Sequence, residues 1–318
     1  MRVWKADFFS TRAEKLQQGP SVATLGNFDG VHAGHRQLLA KAVHSAKERS
    51  LPAVLVTFDP HPEKVLSSSP NAALLMTMQQ KLDIFEKLGI DCVWAVPFDR
   101  EFSELAPRVF LDGLRDAISP IDLHVGRAFR FGRSRGGDIN LIEEWAANSG
   151  CSVHPHAYKA VDGGTLSSSR IRRMLLDGDV ELASELLGDP YMLSGVVVEG
   201  ERVGTKLGFP TANLRWDQEL LPAPGVYVTS ARCPPSLSSP SLGLTNVGTK
   251  PTFAGRQLTV ETHLPSKDMN LYGSKMELEF LHRIRGEAMF ETETALMAKI
   301  AEDVKNGLEW WKSSGRCQ

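Results

Sequence analysis

The ten residues Gly26-Asn27-Phe28-Asp29-Gly30-Val31-His32-Ala33-Gly34-His35 decide the fold of the first half of this chain. They follow the apolar run 21–25, which predicts a buried parallel strand, and precede residues 35–43, whose apolar spacing predicts an amphipathic helix. A glycine-rich turn between a strand and a helix directs backbone N–H groups and the positive end of the helix dipole toward one point. We therefore expect this turn to bind a phosphate group.

The turn carries two histidines, His32 and His35, which lie three residues apart and so share one face of the first helical turn. From there both can hydrogen-bond to phosphate oxygens and stabilise the charge that develops when a phosphoanhydride bond is exchanged. An isolated H-x-x-H pair is more often a solvated surface feature, and a Gly-Asn-Phe-Asp-Gly segment can be an ordinary turn. The preceding strand, the following helix and the spacing of the glycines favour the catalytic interpretation.

The length of 318 residues predicts two domains, and a change of sequence pattern near residue 188 divides them into 1–187 and 188–318. Hydrophobic residues make up 42% and charged residues 23%, which is the balance of a soluble globular protein. The formal net charge of −2 gives no global attraction to nucleic acid or to anionic membranes. We therefore expect no nucleic-acid partner and no membrane partner. Small-molecule partners and a monomer or transient homo-oligomer are separate expectations.

Targeting and membrane segments are not expected, because apolar runs stay below about 18 residues and the N-terminus lacks a signal-peptide core. The cysteines form no C-x-x-C pair, which argues against a zinc site and against a disulfide framework. They are Cys92, Cys151, Cys233 and Cys317. These features predict a cytoplasmic protein.

The first domain alternates strand-like and helix-like segments, which predicts a Rossmann-like parallel sheet with helices on both faces. The predicted strands are 21–25, 53–58, 92–98 and 121–126, and the predicted helices include 35–43, 79–88, 107–117 and 139–148. Ligands of such sheets bind beyond the carboxyl ends of the strands.

The second domain changes to short alternating strands, which predict a small antiparallel β-barrel without helices for about a hundred residues. The predicted strands are 194–198, 225–230, 258–264 and 275–281. Residues 233–241 are rich in turn-forming residues and predict an exposed loop. The apolar spacing of 292–311 predicts a C-terminal helix packed on the barrel, with no functional role for its apolar stripe.

Three further segments of the first domain suit a nucleotide and a planar ring. Asp59 and Pro60 lie in a constrained loop at a strand end, and Phe129 and Phe131 belong to an arginine-rich loop, 126–138. The third segment enters a helix through hydroxyl caps and offers phosphate contacts from Ser168, Ser169, Arg170 and Arg172. As alternatives, the serines only cap the helix, both phenylalanines face the core, and Arg133 and Arg135 are solvated loop charges.

The key string of the second domain is Gly200-Glu-Arg-Val-Gly-Thr-Lys-Leu-Gly-Phe-Pro-Thr-Ala-Asn-Leu214, whose glycines let the backbone curl closely around phosphates. Thr211 and Asn213 alternate by two on an extended segment, so both side chains face one side. Their hard oxygens predict Mg²⁺ ligands. The predicted ATP and phosphate contacts of this string are Gly200, Gly204, Lys206, Gly208 and Pro210.

These motifs resemble those of the bacterial bifunctional riboflavin kinase/FMN adenylyltransferase (FAD synthetase) family. The opening stretch is similar to its G-N-F-D-G-V-H-x-G-H motif, an extended nucleotidylyltransferase signature, and 166–172 is similar to its I-S-S-T-R-I-R motif. The second-domain string resembles G-x-x-x-G-x-x-L-G-F-P-T-A-N, and 225–227 and 246–253 resemble G-V-Y and N-x-G-x-x-P-T-F. The resemblance implies that riboflavin is phosphorylated to FMN and FMN is adenylylated to FAD, with ATP as co-substrate, Mg²⁺ as cofactor and pyrophosphate as product.

The resemblance also implies roles for individual residues. Glu261 takes the place of a general base for the riboflavin 5′-hydroxyl, and Arg283 and Arg285 line the flavin or nucleotide site of the kinase. In the adenylyltransferase, ATP contacts are implied for Gly26, Asn27, Phe28, Gly30, Gly34, Ser168, Ser169, Arg170 and Arg172, and flavin contacts for Asp59, Pro60, Phe129 and Phe131.

The chain departs from the family pattern in two places. Ala128 stands where an Asp or Asn is usual, and Glu199, Val203 and Thr205 stand where His, Arg and Arg are frequent. These departures put the efficiency of the two reactions in doubt. Two alternatives therefore stay open, a nucleotidylyltransferase with another acceptor and a flavin-binding regulator that has lost one or both activities.

Overall fold

The computed structural model describes residues 1–9, 16–67, 73–157, 164–201, 203–252, 255–265 and 269–316. The chain divides into two units, Met1–Leu166 and Ser167–Gln318. The predicted domain boundary, after residue 187, lies C-terminal to two helices that the division at residue 166 assigns to the second unit. The boundary at residue 187 therefore stays a prediction.

The first unit contains a parallel sheet in the order β1-β4-β3-β2-β5-β6. Its strands are β1 (Arg2–Trp4), β2 (Ser21–Leu25), β3 (Ala53–Asp59), β4 (Cys92–Pro97), β5 (Pro120–Gly126) and β6 (Ser152–His156). Its helices are α1 (Ala33–Glu48), α2 (Pro62–Leu66), α3 (Met78–Lys87), α4 (Arg100–Ser103), α5 (Pro107–Ile118) and α6 (Ile139–Ala147). The predicted strands and helices are all present with bounds shifted by a few residues, and the structure adds β1, β6, α2 and α4.

Two hydrophobic clusters cover the two faces of this sheet, as predicted. Along β2, Val22 packs with α1 and α3, whereas Ala23 and Leu25 pack with α5 and α6. Strand side chains alternate between faces, so a strand buried on both faces is apolar at nearly every position. This explains the uninterrupted apolar runs of the sequence.

The strand order reverses between β2 and β5, because the chain proceeds outward from β2 on one side and from β5 on the other. In open α/β sheets the ligand crevice lies at such a reversal, beyond the carboxyl ends of the strands. Residues 26–32 follow β2 and residues 127–138 follow β5. The fold therefore positions two of the predicted ligand-binding segments at this crevice.

The second unit is a closed antiparallel barrel in the order β10-β11-β8-β7-β12-β9, with accompanying helices. Its strands are β7 (Tyr191–Val198), β8 (Thr211–Trp216), β9 (Gly225–Cys233), β10 (Leu237–Thr252), β11 (Gly255–His263) and β12 (Lys275–Gly286). Its helices are α7 (Ser168–Asp177), α8 (Val180–Leu187), α9 (Val203–Lys206) and α10 (Glu293–Ser313). The predicted barrel and C-terminal helix are confirmed.

Two expectations for the second unit were wrong. Residues 237–241 are not loop, because Leu237 pairs with Cys233 and Ser241 with Ala231 in the β9–β10 hairpin. The region expected to lack helices contains α9, a single turn inside the glycine-rich string. Short polar helices of this kind carry no apolar periodicity to reveal them. In the described part of the chain, none of the helices has the length and apolarity needed to cross a bilayer.

Candidate active sites

The turn between β2 and α1 is tightly folded around a buried aromatic ring. Phe28 and Val31 both have positive φ angles, 51° and 35°, in a backbone region that L-residues seldom occupy. A Cβ on Gly26 would lie only 2.9 Å from the Phe28 ring, which is itself 1% exposed. Strained backbone of this kind is typical of ligand-binding turns. Gly26 is therefore required by the close approach of Phe28.

His32 is the N-cap of α1, and its Nδ1 accepts the backbone N–H of His35 at 3.2 Å. Burial lowers the pKa of His32 to about 4, so the ring is neutral at pH 7. A neutral imidazole that accepts at Nδ1 carries its proton on Nε2. His32 therefore offers an N–H donor at the start of a helix, where phosphate is favoured.

The His35 ring stacks on the His32 ring, with centroids 3.6 Å apart and an angle of 11° between the planes. The His35 ring also contacts Phe28 in a T-shaped arrangement, with ring centroids 5.2 Å apart. Burial, and then the neighbouring His32, lower the pKa of His35 well below its usual value. The two histidines thus lie side by side, as their spacing predicted, and both are neutral at pH 7.

A lysine from α3 reaches the same turn, and sequence analysis did not single it out. Lys81 is 4% exposed and donates from Nζ to the Asn27 carbonyl oxygen at 3.2 Å. Burial lowers its pKa, while the charges of Asp29 and Asp59 oppose that shift. A buried cation beside a phosphate-binding turn is suited to a phosphate oxygen. Its signal in the sequence is a lysine on the apolar face of a helix, four residues before the buried Phe85.

The loop after β5 holds the two predicted flavin-contacting aromatics. Phe131 is 6% exposed, packs against Phe110 with ring centroids 5.5 Å apart, and lies beside Phe129 at 5.7 Å. This core contact is the alternative that we considered for the pair, so a flavin role for Phe131 stays a prediction. Ala128 lies in the exposed turn just before them. Arg127, Arg130, Arg133 and Arg135 are likewise exposed.

The motif at the start of α7 forms the predicted hydroxyl-capped helix. Ser167 is the N-cap and accepts the backbone N–H of Arg170 at 3.3 Å. Ser168 and Ser169 occupy the first turn, and Arg172 begins the second turn. Because α7 is counted with the second unit, the expected convergence of this motif with His32 and His35 stays a prediction.

In the second unit, a cavity of about 450 Å³ has the size of a small-molecule site. One wall is polar and includes Thr211, Asn246 and Glu261, and the other is apolar. The apolar wall contains Phe290 and the α10 residues Leu296, Ile300 and Val304. The helix α10 packs on the barrel as expected, and three members of its apolar stripe also line this cavity.

Glu261 lies at the centre of the polar wall. In the barrel its strand neighbours are Asn213 on β8 and Asn246 on β10, so three polar residues form a row across adjacent strands. The Thr211 hydroxyl donates to Glu261 Oε2 at 3.4 Å. Strand pairing thus brings together the predicted base and both predicted metal ligands, and adds Asn246, which sequence analysis had noted only as part of a motif.

The glycine-rich string curls around this row. A Cβ on Gly200 would lie 2.2 Å from Asn213 Nδ2, and one on Gly204 would lie 2.4 Å from the Phe209 carbonyl oxygen. Gly208 has a φ of +85° and ends the turn of α9. Gly204 also lines the cavity, whereas Lys206 is exposed on α9 and Pro210 accepts a hydrogen bond from His263 at 2.9 Å.

The two predicted arginines of β12 have different surroundings. Arg285 lines the cavity, donates from Nε to Asp303 Oδ2 at 2.9 Å and lies 5.7 Å from the Phe290 ring centroid. Arg283 is instead bound to backbone, donating to the Asp177 and Pro224 carbonyl oxygens at 2.9 and 3.0 Å. These contacts give Arg283 a structural role at the end of α7, and a direct ligand contact for it stays a prediction.

Comparisons with known proteins assign each half of the chain to a family. A FAD synthetase family model matches residues 14–170, and a riboflavin kinase family model matches residues 187–311. A bifunctional riboflavin kinase/FMN adenylyltransferase of Haemophilus influenzae is 34% identical over 304 residues, covering 95% of this chain and 97% of the relative. The protein of the same description from Escherichia coli K12 is 35% identical over 301 residues, covering 93% of this chain and 95% of the relative.

A solved structure also matches along almost the whole chain. It is described as a macrolide-efflux protein from Streptococcus pneumoniae, and it superposes with a TM-score of 0.89 at 25% identity. The match covers 98% of this chain and 100% of that one. Taken with the two family models and the curated relatives, these similarities show that the chain belongs to the bifunctional riboflavin kinase/FMN adenylyltransferase family.

Proposed function

We propose that this chain phosphorylates riboflavin to FMN with ATP and then transfers the adenylyl group of a second ATP to FMN, forming FAD and pyrophosphate. The observation that carries the kinase assignment is the row of Asn213, Glu261 and Asn246 beside a cavity with an apolar wall. The capped histidine pair at the crevice of the parallel sheet supports the adenylyl transfer. Neither reaction requires a covalent enzyme intermediate.

In the kinase reaction, the isoalloxazine ring binds against the apolar wall of α10, and the ribityl chain extends toward Glu261. The Glu261 carboxylate accepts the proton of the 5′-hydroxyl as that oxygen attacks the γ-phosphate of ATP. The Thr211 hydroxyl, which donates to this carboxylate at 3.4 Å, orients it. The nucleotide phosphates bind along the glycine-rich string, where a Cβ would close the space.

Mg²⁺ is part of this proposal. The Thr211 hydroxyl and the Asn213 carboxamide lie beside the Glu261 carboxylate, and together they form a set of hard oxygen donors that fits the ion. When bound with ATP, Mg²⁺ neutralises charge on the phosphates. Thr211 and Asn213 would hold it and so position the γ-phosphate for attack.

In the adenylyl transfer, an FMN phosphate oxygen attacks the α-phosphate of ATP and pyrophosphate leaves. Nε2–H of His32 donates to the phosphate oxygens, and the buried Lys81 adds a positive charge beside the same turn. Because His32 is neutral at pH 7 in the free enzyme, it meets the phosphate oxygens as a hydrogen-bond donor. Catalysis then rests on positioning and charge stabilisation.

A cytoplasmic location, a monomeric or transiently oligomeric state and an absence of nucleic-acid partners complete the proposal. Supporting the location, the cysteines within the described residues, Cys92, Cys151 and Cys233, are free and buried, which is typical of a reducing compartment.

The test is incubation with riboflavin, ATP and Mg²⁺, followed by chromatographic separation of FMN and FAD. The double variant His32→Ala/His35→Ala should form FMN without FAD. Glu261→Ala should form no FMN but should convert supplied FMN to FAD. Loss of both activities in either folded variant would contradict two independent sites, and FMN without FAD from the unaltered chain would point to Ala128.

A further inference from the structure

A second cavity of the first unit, distinct from the turn at residues 26–35, is lined by histidines. Its volume is about 560 Å³, and its lining includes His124 and His156 with His154 beside them. Residues His124 and His154 are direct partners in the β5–β6 pairing. The cavity also contacts the second half of α1, about 20 Å along the helix axis from His32 at about 1.5 Å per residue.

Three side chains in this cavity meet around one point. Asp122, His124 and His154 each offer one oxygen or nitrogen atom, and these atoms all lie within 4.8 Å of one another. The ring nitrogen Nε2 of His154 lies 3.3 Å from Asp122 Oδ1. Bonds from zinc to imidazole nitrogen and carboxylate oxygen are about 2.0–2.2 Å, so two ligands of one ion lie at most about 4 Å apart. Shifts of under about 1 Å would therefore bring all three to one ion.

A buried polar atom points independently to a ligand. His124 is 5% exposed, and its Nε2 is fully buried without a hydrogen-bond partner among the described residues. Its Nδ1 lies 3.0 Å from Nε2 of His156, whose own Nδ1 lies 3.5 Å from the exposed Lys41 Nζ. In the tautomer that carries its proton on Nδ1, His124 donates to His156 Nε2, and the exposed contact of Lys41 gives way. The buried Nε2 of His124 is then an unprotonated acceptor, which a metal ion would satisfy while the ring stays neutral.

The surroundings resemble the outer ligand shell of metal sites. Ser45 Oγ donates to Asp122 Oδ2 at 2.7 Å, and Arg49 Nη2 donates to Oδ1 at 3.2 Å, so the carboxylate is held in place by α1. Outer-shell hydrogen bonds of this kind orient metal ligands.

From this geometry we infer that Asp122, His124 and His154 bind a divalent transition-metal ion of the zinc class, with His156 adjacent as a further donor. Imidazole nitrogen combined with carboxylate favours Zn²⁺ over Mg²⁺, which prefers oxygen ligands alone. The cysteine spacing, which argued against a zinc site, does not bear on ligands from histidine and aspartate. The ion would join β5 to the edge strand β6.

The test uses the full-length chain without a histidine tag, treated with a chelator and titrated calorimetrically with ZnCl₂ at pH 7.5. We expect one Zn²⁺ per chain, with an affinity that excess MgCl₂ does not change, and a rise in Tm on saturation. His154→Asn should weaken Zn²⁺ binding by at least about 100-fold, since changes even in outer-shell residues cost 10–100-fold. The matched control is His44→Asn, because His44 lines the same cavity but its side chain is 75% exposed.

Folding and coordination have separate measurements. The His154 side chain is 41% exposed, so its variant should keep the parental Tm without metal, even if a His124→Asn variant fails to fold. Co²⁺ substitution should give visible absorption bands that His154→Asn loses and His44→Asn keeps. Unchanged Zn²⁺ affinity in His154→Asn would overturn the inference.

Discussion

The N-cap of α1 allows the structural and catalytic roles of His32 to be separated by one substitution. His32→Asn keeps a side-chain acceptor for the His35 backbone N–H, since asparagine is among the preferred N-cap residues. It removes the imidazole Nε2–H that we assign to the phosphate oxygens. His32→Ala removes both. The two variants should therefore differ in stability but not in rate.

The expected magnitudes follow from these contacts. Removing one positioned donor from a developing negative charge costs roughly 10²–10³-fold in rate, or about 2.7–4 kcal/mol. Loss of an N-cap costs about 1 kcal/mol of stability. We therefore expect both variants to lose about 10²–10³-fold in kcat/KM for FAD formation, and only His32→Ala to be destabilised by about 1 kcal/mol.

The assay measures FAD formation from FMN and ATP, with FMN formation from riboflavin in the same preparation as internal control. Asp99→Ala removes the N-cap of α4, where Asp99 Oδ1 accepts the Phe102 N–H at 2.7 Å, and it should lower stability without slowing adenylyl transfer. If His32→Asn kept more than about a tenth of the parental kcat/KM, the imidazole of His32 would serve only as an N-cap, and its catalytic role would be refuted.

Three further predictions concern other parts of the two units. The pKa of His32 is about 4 in the folded chain and ordinarily 6.5, so the unfolded chain binds more protons between these two pH values. The contribution of the neutral His32 to the free energy of unfolding is therefore lost as the pH falls through this range. In denaturant unfolding, the free energy of unfolding of the parental chain should fall by about 3 kcal/mol more from pH 7.5 to pH 4 than that of His32→Asn. Equal falls in the two proteins would contradict this prediction. Lys81→Met keeps the apolar stem but removes the charge, and should lower kcat/KM for FAD formation about 100-fold; an unchanged value would exclude a phosphate contact. Ile300→Ala should raise KM for riboflavin about tenfold, because Ile300 lines the apolar wall of the cavity. The control is Met297→Ala on the exposed side of α10, and equal KM values for the two variants would exclude binding of riboflavin against this wall.

The sequence predicted most of the fold, because the strands that hold it together are buried on both faces. It missed β6, whose residues Ser152–His156 include polar side chains and Pro155, and β1, which is only three residues long. Both are edge strands, where one neighbour is lacking and an apolar pattern is not required. Local pattern therefore identifies the centre of a sheet better than its edges.

The sites were predicted where their residues are contiguous and missed where only tertiary structure joins them. His32 and His35 belong to one turn, whereas Lys81 reaches that turn from a helix far along the chain. Leu296, Ile300 and Val304 were seen as an apolar stripe, but the spacing could not tell a core surface from a cavity wall. For Phe131 the sequence left flavin contact and core packing open, and only the structure shows its packing in the core.

The central position of Glu261 in the barrel has a consequence for which changes of chain length the protein can accept. Its neighbours Val260 and Thr262 are 1% and 0% exposed, while Glu261 lines the cavity. One residue inserted into β11 would exchange these two faces and direct the carboxylate into the barrel interior. Insertions in the turn between Cys233 and Leu237 leave that alternation intact. Relatives should therefore vary in length at such turns and keep β11 at constant length, even where its individual residues differ.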